Sequence, residues 1–258
     1  MSTQDLSKMG SARVSIETLG GVDCVLKHGA SKVEVDFYRS AAPNLLGINL
    51  PALLKIEDCN LYIERIPNAI SLSELRTRSD LYSQLANLHL SNYLPDFPVK
   101  KHDWTTSETS EALNVLGLPN ASAFTIKRMQ TLSSQIFEYK TLISGDTNDG
   151  NWGTRNNGEL VLFDWERFGQ GSPAIDLAPL VSGLGSISEY EQIVSQYIKH
   201  NSAVPAAKLI EQLIITKCWI MIEVVNILVR RKNPEQKKYI NWYRANVPKW
   251  LALVESAL

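Results

Sequence analysis

Asp146, Asn151 and Asp164 are the side chains of this sequence best suited to do chemistry together. Asp146 stands five residues before Asn151, and Asp164 follows after a short apolar run. One carboxylate in such a setting can orient and deprotonate an attacking hydroxyl. An Asn amide oxygen and a second carboxylate are hard oxygen donors that can hold Mg²⁺ against the phosphates of a nucleotide. Together these residue types equip a chain for phosphoryl transfer.

The elements that must position them are readable around them. Glu159 to Phe163 is compact and largely apolar, the pattern of a buried strand. Asn156-Asn157-Gly158 before it is turn chemistry, because Asn and Gly tolerate the positive φ of tight hairpins. Trp152 to Arg155 is then the partner strand, and folding the hairpin brings Asn151 beside Asp164. Beyond it, Gly171-Ser172-Pro173 predicts a helix start, with Ser172 as N-cap, Pro173 at the first helical position and Asp176 in the first turns.

Three plainer accounts compete for the same residues. A polar surface loop explains Ser144 to Asn151 but gives no reason for an apolar strand ending in Asp164-Trp165-Glu166. A calcium loop of the EF-hand kind fails, because Gly150 falls where a ligand is wanted and Asn157 where the bidentate Glu belongs. A strand-end cap accounts for Asp164 alone. Only phosphotransfer uses all the polar positions at once.

The segment resembles the catalytic core of the aminoglycoside phosphotransferase and choline kinase family, a small-molecule branch of the protein-kinase-like fold. The resemblance rests on Ser144-Gly145-Asp146, Asn151, Phe163-Asp164-Trp165 and the run from Gly171 to Ala178 (GSPAIDLA). It implies Asp146 as catalytic base, Asn151 and Asp164 as metal ligands, and Asp176 as a brace for the catalytic loop. Ser144 departs from the pattern, standing where the family usually has an orienting His.

A kinase-like fold also requires a lysine on an early strand. Val22 to Lys27 (VDCVLK) offers one after the Gly20-Gly21 turn, with Arg13 to Leu19 as its alternating hairpin partner. Lys27 would reach the α- and β-phosphates, and Glu34, opening a short helix with Val35 and Tyr38 on one face, would pair with it. Met9-Gly10-Ser11-Ala12 is the candidate phosphate-covering loop. Leu61 to Ile66 reads as a strand running into a linker, and the resemblance makes the Glu64 and Ile66 backbone the adenine-binding stretch. Leu81 to Leu90 has helical spacing, with His89 as a packing residue.

Composition agrees with a soluble enzyme. Hydrophobic residues make up 44% and charged residues 21%, enough for a substantial core, and a formal net charge of −1 gives no steering toward nucleic acid. The N-terminus lacks an apolar signal region, and the most apolar stretch, Cys218 to Val229, is short and interrupted by Glu223 and Asn226, so no membrane span is expected. Cys24, Cys59 and Cys218 are scattered without metal-ligand spacing, as reduced cytoplasmic thiols would be. The basic run from Arg230 to Lys238 is expected to be a solvated turn between helices. For an acceptor site, Asp149, Glu189 and Glu191 offer acidic groups, and Trp219, Trp242, Tyr243 and Trp250 offer ring faces.

The expected fold is α+β, protein-kinase-like and two-lobed. Residues 1–66 form a small antiparallel β lobe that binds nucleotide, and residues 67–258 a larger helical lobe with the catalytic hairpin and acceptor site. The expected function is transfer of the γ-phosphoryl of ATP, with Mg²⁺, to a hydroxyl of a small molecule such as an amino alcohol or amino sugar. The alternative is a nucleotide-binding regulator without transfer activity. Only about a dozen residues separate Asp164 from Asp176, too few for a peptide-docking segment, which disfavours a protein acceptor.

Overall fold

Arg13–Leu19 (β1) and Val22–His28 (β2) form the expected hairpin, paired from Arg13↔His28 to Leu19↔Val22. Gly20 and Gly21 both take positive φ, 60° and 84°, as its two-residue turn requires. The computed structural model describes residues 13–257, so the candidate loop Met9–Ala12 lies outside the described residues. The next helix, Lys32–Asp36 (α1), opens two residues before the expected Glu34, because the Ser31 hydroxyl caps it by accepting from the Glu34 amide at 3.2 Å. It then widens into a π-helical turn, Phe37–Ala41, that keeps both Val35 and Tyr38 buried.

Leu53–Glu57 (β3) and Asn60–Glu64 (β4) complete an antiparallel sheet of order β1-β2-β4-β3. Strand β3 has no counterpart in the sequence pattern. It is an edge strand with mostly exposed residues, so there is no alternation to read. After Asn68–Ala69 (β5) come the short helix Leu72–Leu75 (α2) and Ser79–His89 (α3), close to the expected Leu81–Leu90.

The chain then divides by compactness into two units. Among the described residues, the first runs up to Lys101 and takes in Leu142–Gln170, and the second holds His102–Thr141 and the chain from Gly171 onward. The boundary expected near residue 66 thus falls inside the first unit, and the hairpin that carries Asn151 and Asp164 groups with the sheet. Within that unit, Leu142–Ile143 (β6) pairs with Gly169–Gln170 (β9), and Trp152–Thr154 (β7) pairs on one side with β5 and on the other with Leu160–Leu162 (β8).

The second unit is helical: Thr106–Leu116 (α4), Asn120–Thr131 (α5), Ser134–Phe137 (α6), Ala174–Leu177 (α7), Ile187–Tyr197 (α8), Ala206–Arg230 (α9) and Gln236–Val254 (α10). Helix α4 shows why such segments start and stop where they do. Thr105 and Glu108 form a reciprocal capping box, and Gly117 ends the helix in the left-handed conformation (φ 58°). At α7, Pro173 already has helical dihedrals and the Ser172 hydroxyl accepts from the Ala174 amide at 3.2 Å, which is the cap the sequence suggests. The basic run, expected as a turn, begins on the last residue of α9 and runs through the turn into the first three residues of α10.

Helix α9 is longer than the expected Cys218–Val229, and by length and hydropathy alone it is apolar enough to cross a membrane. Most of that apolar stretch is buried within the protein, and α4, α5, α6, α7, α8 and α10 all pack on α9. Each large apolar side chain taken from water there contributes about 1.5–3 kcal/mol. A cation sits among them. The buried Lys217 ammonium donates to the Ala178 and Val181 carbonyls at 3.0 and 2.8 Å, capping the end of the segment that begins with α7.

Burial pushes the Lys217 ammonium down to about 8 from an ordinary 10.5, with Glu189 opposing the shift. Between those values the unfolded chain binds the extra proton, so stability rises with pH across that window. Urea unfolding of wild type and Lys217→Met from pH 7 to 10.5 should therefore show the wild type gaining on the variant, by up to about 3 kcal/mol. A constant difference across that range would mean that Lys217 keeps its proton when folded.

Candidate active site

The hairpin β7–β8 does what its sequence promised. Trp152 pairs with Leu162 and Thr154 with Leu160, and Arg155, Glu159 and Gly158 close the turn through amide-to-carbonyl bonds of 2.9 Å. Of the three turn residues only Gly158 takes positive φ, 85°. At the open end the Phe163 amide donates to the Asn151 carbonyl at 3.0 Å, which places Asn151 next to the residue that precedes Asp164. Asp164 itself sits in the left-handed region (φ 66°), where a non-glycine residue costs about 1–2 kcal/mol unless its surroundings hold it.

Lys27 is what holds it. The Lys27 ammonium lies 2.7 Å from Glu34 Oε1 and 2.8 Å from Asp164 Oδ1, so one buried cation joins β2, α1 and the end of the hairpin. Burial works against this ammonium, but the Glu34 and Asp164 carboxylates more than offset it and raise its pKa. Glu34 is fully buried, and its Oε1 also accepts from the Trp165 amide at 3.2 Å. Below it Phe37 stacks on Trp165, ring centroids 4.2 Å apart and planes 6° from parallel, with Phe168 edge-on to Phe37 at 4.9 Å.

The second cluster surrounds Asp146. Gly145, at φ 79°, makes the turn into it, and the Arg167 guanidinium donates to the Gly145 carbonyl at 3.0 Å. Asn148 donates its side-chain amide to Asp146 Oδ1 at 2.7 Å and accepts from the Gly150 amide at 2.9 Å, which aims the carboxylate. The Asn151 side-chain amide donates to the Asp146 carbonyl at 2.9 Å, leaving its Oδ1 as the end suited to a cation. Burial lifts the Asp146 carboxyl above its ordinary value. Asn148 and the Arg167 charge oppose that rise, and the Asp164 charge adds to it.

Among the described residues no three His, Cys, Asp or Glu side chains gather into a metal cage. One carboxylate and one amide oxygen suit a cation that completes its shell with ligand phosphates and water, as Mg²⁺ does.

The remaining expected residues are placed differently. The Glu64 amide donates to the Ala52 carbonyl at 2.8 Å, and the Glu64 carboxylate is held by Arg155 at 2.7 and 2.6 Å, so neither is left for a base. Ile66 lies against Gly153, where an added Cβ would come within 2.8 Å of its Cγ2. Ser144 is wholly buried. Asp176 is buried in α7 of the second unit. Of the acceptor candidates, Trp219 and Trp250 are core residues, and Glu189 is spent locally, accepting from the Ser182 amide at 2.9 Å. Asp149 and Glu191 are exposed. Asn148 carried a weak sequence signal, an Asn two residues after the acid. Arg155 and Arg167 carried none.

No protein-family model and no curated protein sequence matches the chain. Solved structures do. Choline kinase LicA from Streptococcus pneumoniae superposes with a TM-score of 0.64 at 18% identity, over 98% of this chain and 94% of that one. Macrolide 2′-phosphotransferase MphH from Brachybacterium faecium gives 0.64 at 13% identity, over 95% and 91%. ADP-bound aminoglycoside phosphotransferase APH(2″)-Ib gives 0.60 at 16% identity, over 95% and 92%. The fold is that of the aminoglycoside phosphotransferases and choline kinases. This kinase-like α+β, two-lobed fold gives the Lys27–Glu34–Asp164 cluster its context.

Removing the Lys27 ammonium leaves two carboxylates facing each other, one of them fully buried. Removing Glu34 leaves the Lys27–Asp164 pair. Lys27→Met should accordingly cost more in urea unfolding, about 3–5 kcal/mol, than Glu34→Gln. Equal losses would show that the ammonium is not what keeps Glu34 inside.

Proposed function

We propose that this protein is an ATP-dependent phosphotransferase that moves the γ-phosphoryl to a hydroxyl of a small molecule, an amino alcohol, amino sugar or related metabolite. The observation that carries this reading is the buried Lys27 ammonium held between Glu34 and Asp164, on a fold whose solved examples include a choline kinase and two antibiotic phosphotransferases. Those named acceptors motivate an amine-bearing alcohol. A cytoplasmic location fits such a substrate and the three free cysteines.

In this reading Lys27 contacts the α- and β-phosphates, with Glu34 holding it in place. The linker through Ile66 meets adenine by its backbone, and because the Glu64 amide is spent on Ala52, the Ile66 amide is the donor. Asn151 and Asp164 would hold Mg²⁺, which neutralises charge on the phosphates. Asp146 orients the acceptor hydroxyl and takes its proton, kept in aim by Asn148. Burial and the Asp164 charge raise its basicity toward that task. The transition state needs little covalent help, so positioning and electrostatics supply most of the acceleration.

Asp146→Asn should retain nucleotide binding while ADP release with a pooled set of amino alcohols, sugars and aminoglycosides falls about 10²–10⁴-fold. Near-normal turnover would remove Asp146 from the base role. A wild-type protein that binds Mg-ATP but transfers to none of the pool would instead favour a nucleotide-binding regulator. Asp164→Ala should abolish the Mg²⁺-dependent part of nucleotide affinity in calorimetric titrations. Unchanged affinity with and without metal would sink that assignment.

A further inference from the structure

Arg155, on the hairpin just past β7, uses all three nitrogens of its guanidinium. Its Nε and Nη2 grip the two oxygens of Glu64 at 2.7 and 2.6 Å, Nη2 also donates to the Leu50 carbonyl at 2.9 Å, and Nη1 reaches Glu159 at 2.8 Å. Glu64 is the last residue of β4, directly before the linker Arg65–Pro67. At the far end of that linker β5 pairs with β7, Asn68 opposite Thr154 and Ala69 opposite Gly153, and the Asn68 side chain donates to the Thr154 carbonyl at 3.1 Å. Between these anchors the linker lies so close to β7 that a Cβ at Gly153 would come within 2.8 Å of both Asn68 O and Ile66 Cγ2.

Arg155 and Glu64 side chains are only about three-quarters buried (25% and 27% exposed), so as a lone ion pair they would add little to stability. What the fork supplies is direction. Two parallel N–H···O bonds fix distance and orientation in a way that a single-point lysine contact does not. A three-residue linker pinned at both ends, with Pro67 inside it, has few conformations left to lose when a ligand binds.

We propose that Arg155 is a positioning residue for the nucleotide: by locking the linker after β4 to the catalytic hairpin, it makes one rigid frame of the groups that meet the base and the groups that meet the phosphates. This rests on the phosphotransferase reading above. A ligand spanning both ends of a preset frame gains affinity that its separate pieces do not have, because the spacing is set before it arrives. Loss of the fork should therefore penalise the whole nucleotide and spare its fragments.

The test is calorimetric titration of wild type, Arg155→Gln, Glu64→Gln and the double variant. The ligands are a non-hydrolysable Mg-ATP analogue, adenosine alone and Mg-tripolyphosphate alone. Each single variant should raise the Kd of the ATP analogue about tenfold, the double variant no further, and both fragments should stay within about twofold of wild type. Arg155→Lys, which keeps the charge without the fork, should lose most of the same affinity and covers the case in which the Gln variants misfold. Unchanged binding of the analogue in the variants overturns the proposal, as does an equal loss for all three ligands. A wild type that binds none of them would instead bring down the phosphotransferase reading and the proposal with it.

Discussion

An ammonium ion cannot remain inside a protein without partners, and the rest of the first unit is arranged around that constraint at Lys27. The cost of removing one charge from water is several kcal/mol, which two close carboxylates offset here. Glu34 and Asp164 are brought to Lys27 Nζ by two unrelated elements, a capped helix of five residues and the end of a hairpin. Each must hold its place for the other to be tolerable. Ser31 fixes the start of α1, and Phe37 stacked on Trp165 fixes its end against the residue after Asp164. The left-handed backbone at Asp164 persists because its carboxylate is tied down.

The hairpin β7–β8 is the frame to which the other groups are fastened. On one edge β5 pairs with it, and along β8 the Asn49 and Gln84 side-chain amides donate to the Leu160 carbonyl at 2.9 and 3.1 Å. The Arg155 fork ties it to the end of β4. Rigidity here comes from polar groups satisfied in fixed directions. A purely apolar contact would bury area without setting an angle.

The second unit uses polar chemistry for a different end. Lys217 and Glu189 are each consumed in holding backbone between α7 and α8, and Tyr190 donates to the Leu184 carbonyl while accepting from Trp250 at 3.1 Å. Lys217 and Glu189, which look available in a charge list, are therefore already engaged. An acidic wall or a set of ring faces read from composition says what residue types exist. It says nothing of whether backbone donors or core packing have claimed them first.

Much of the candidate site was legible in the sequence, because its information is local. Asp146, Asn151 and Asp164 lie in or just before one hairpin whose turn and strand signals are short-range, and alternation in β1 with an apolar run in β2 marks the strands around the Gly20-Gly21 turn. What could not be read was everything set by residues distant in sequence: the edge strand β3, the π-helical turn after α1, the Phe37–Trp165 stack and the Arg155–Glu64 fork. Lys27 was expected from the sequence to pair with Glu34, and it became a bridge to Asp164 only when residue 164 was folded beside it, 137 positions away. The sequence by itself determined the hairpin and the polar residue types at its open end, since propensity and pattern act over a few residues. Only the tertiary structure decided which charges neutralise one another and which backbone donors are already spent, because electrostatic and hydrogen-bond partners are chosen by distance in space.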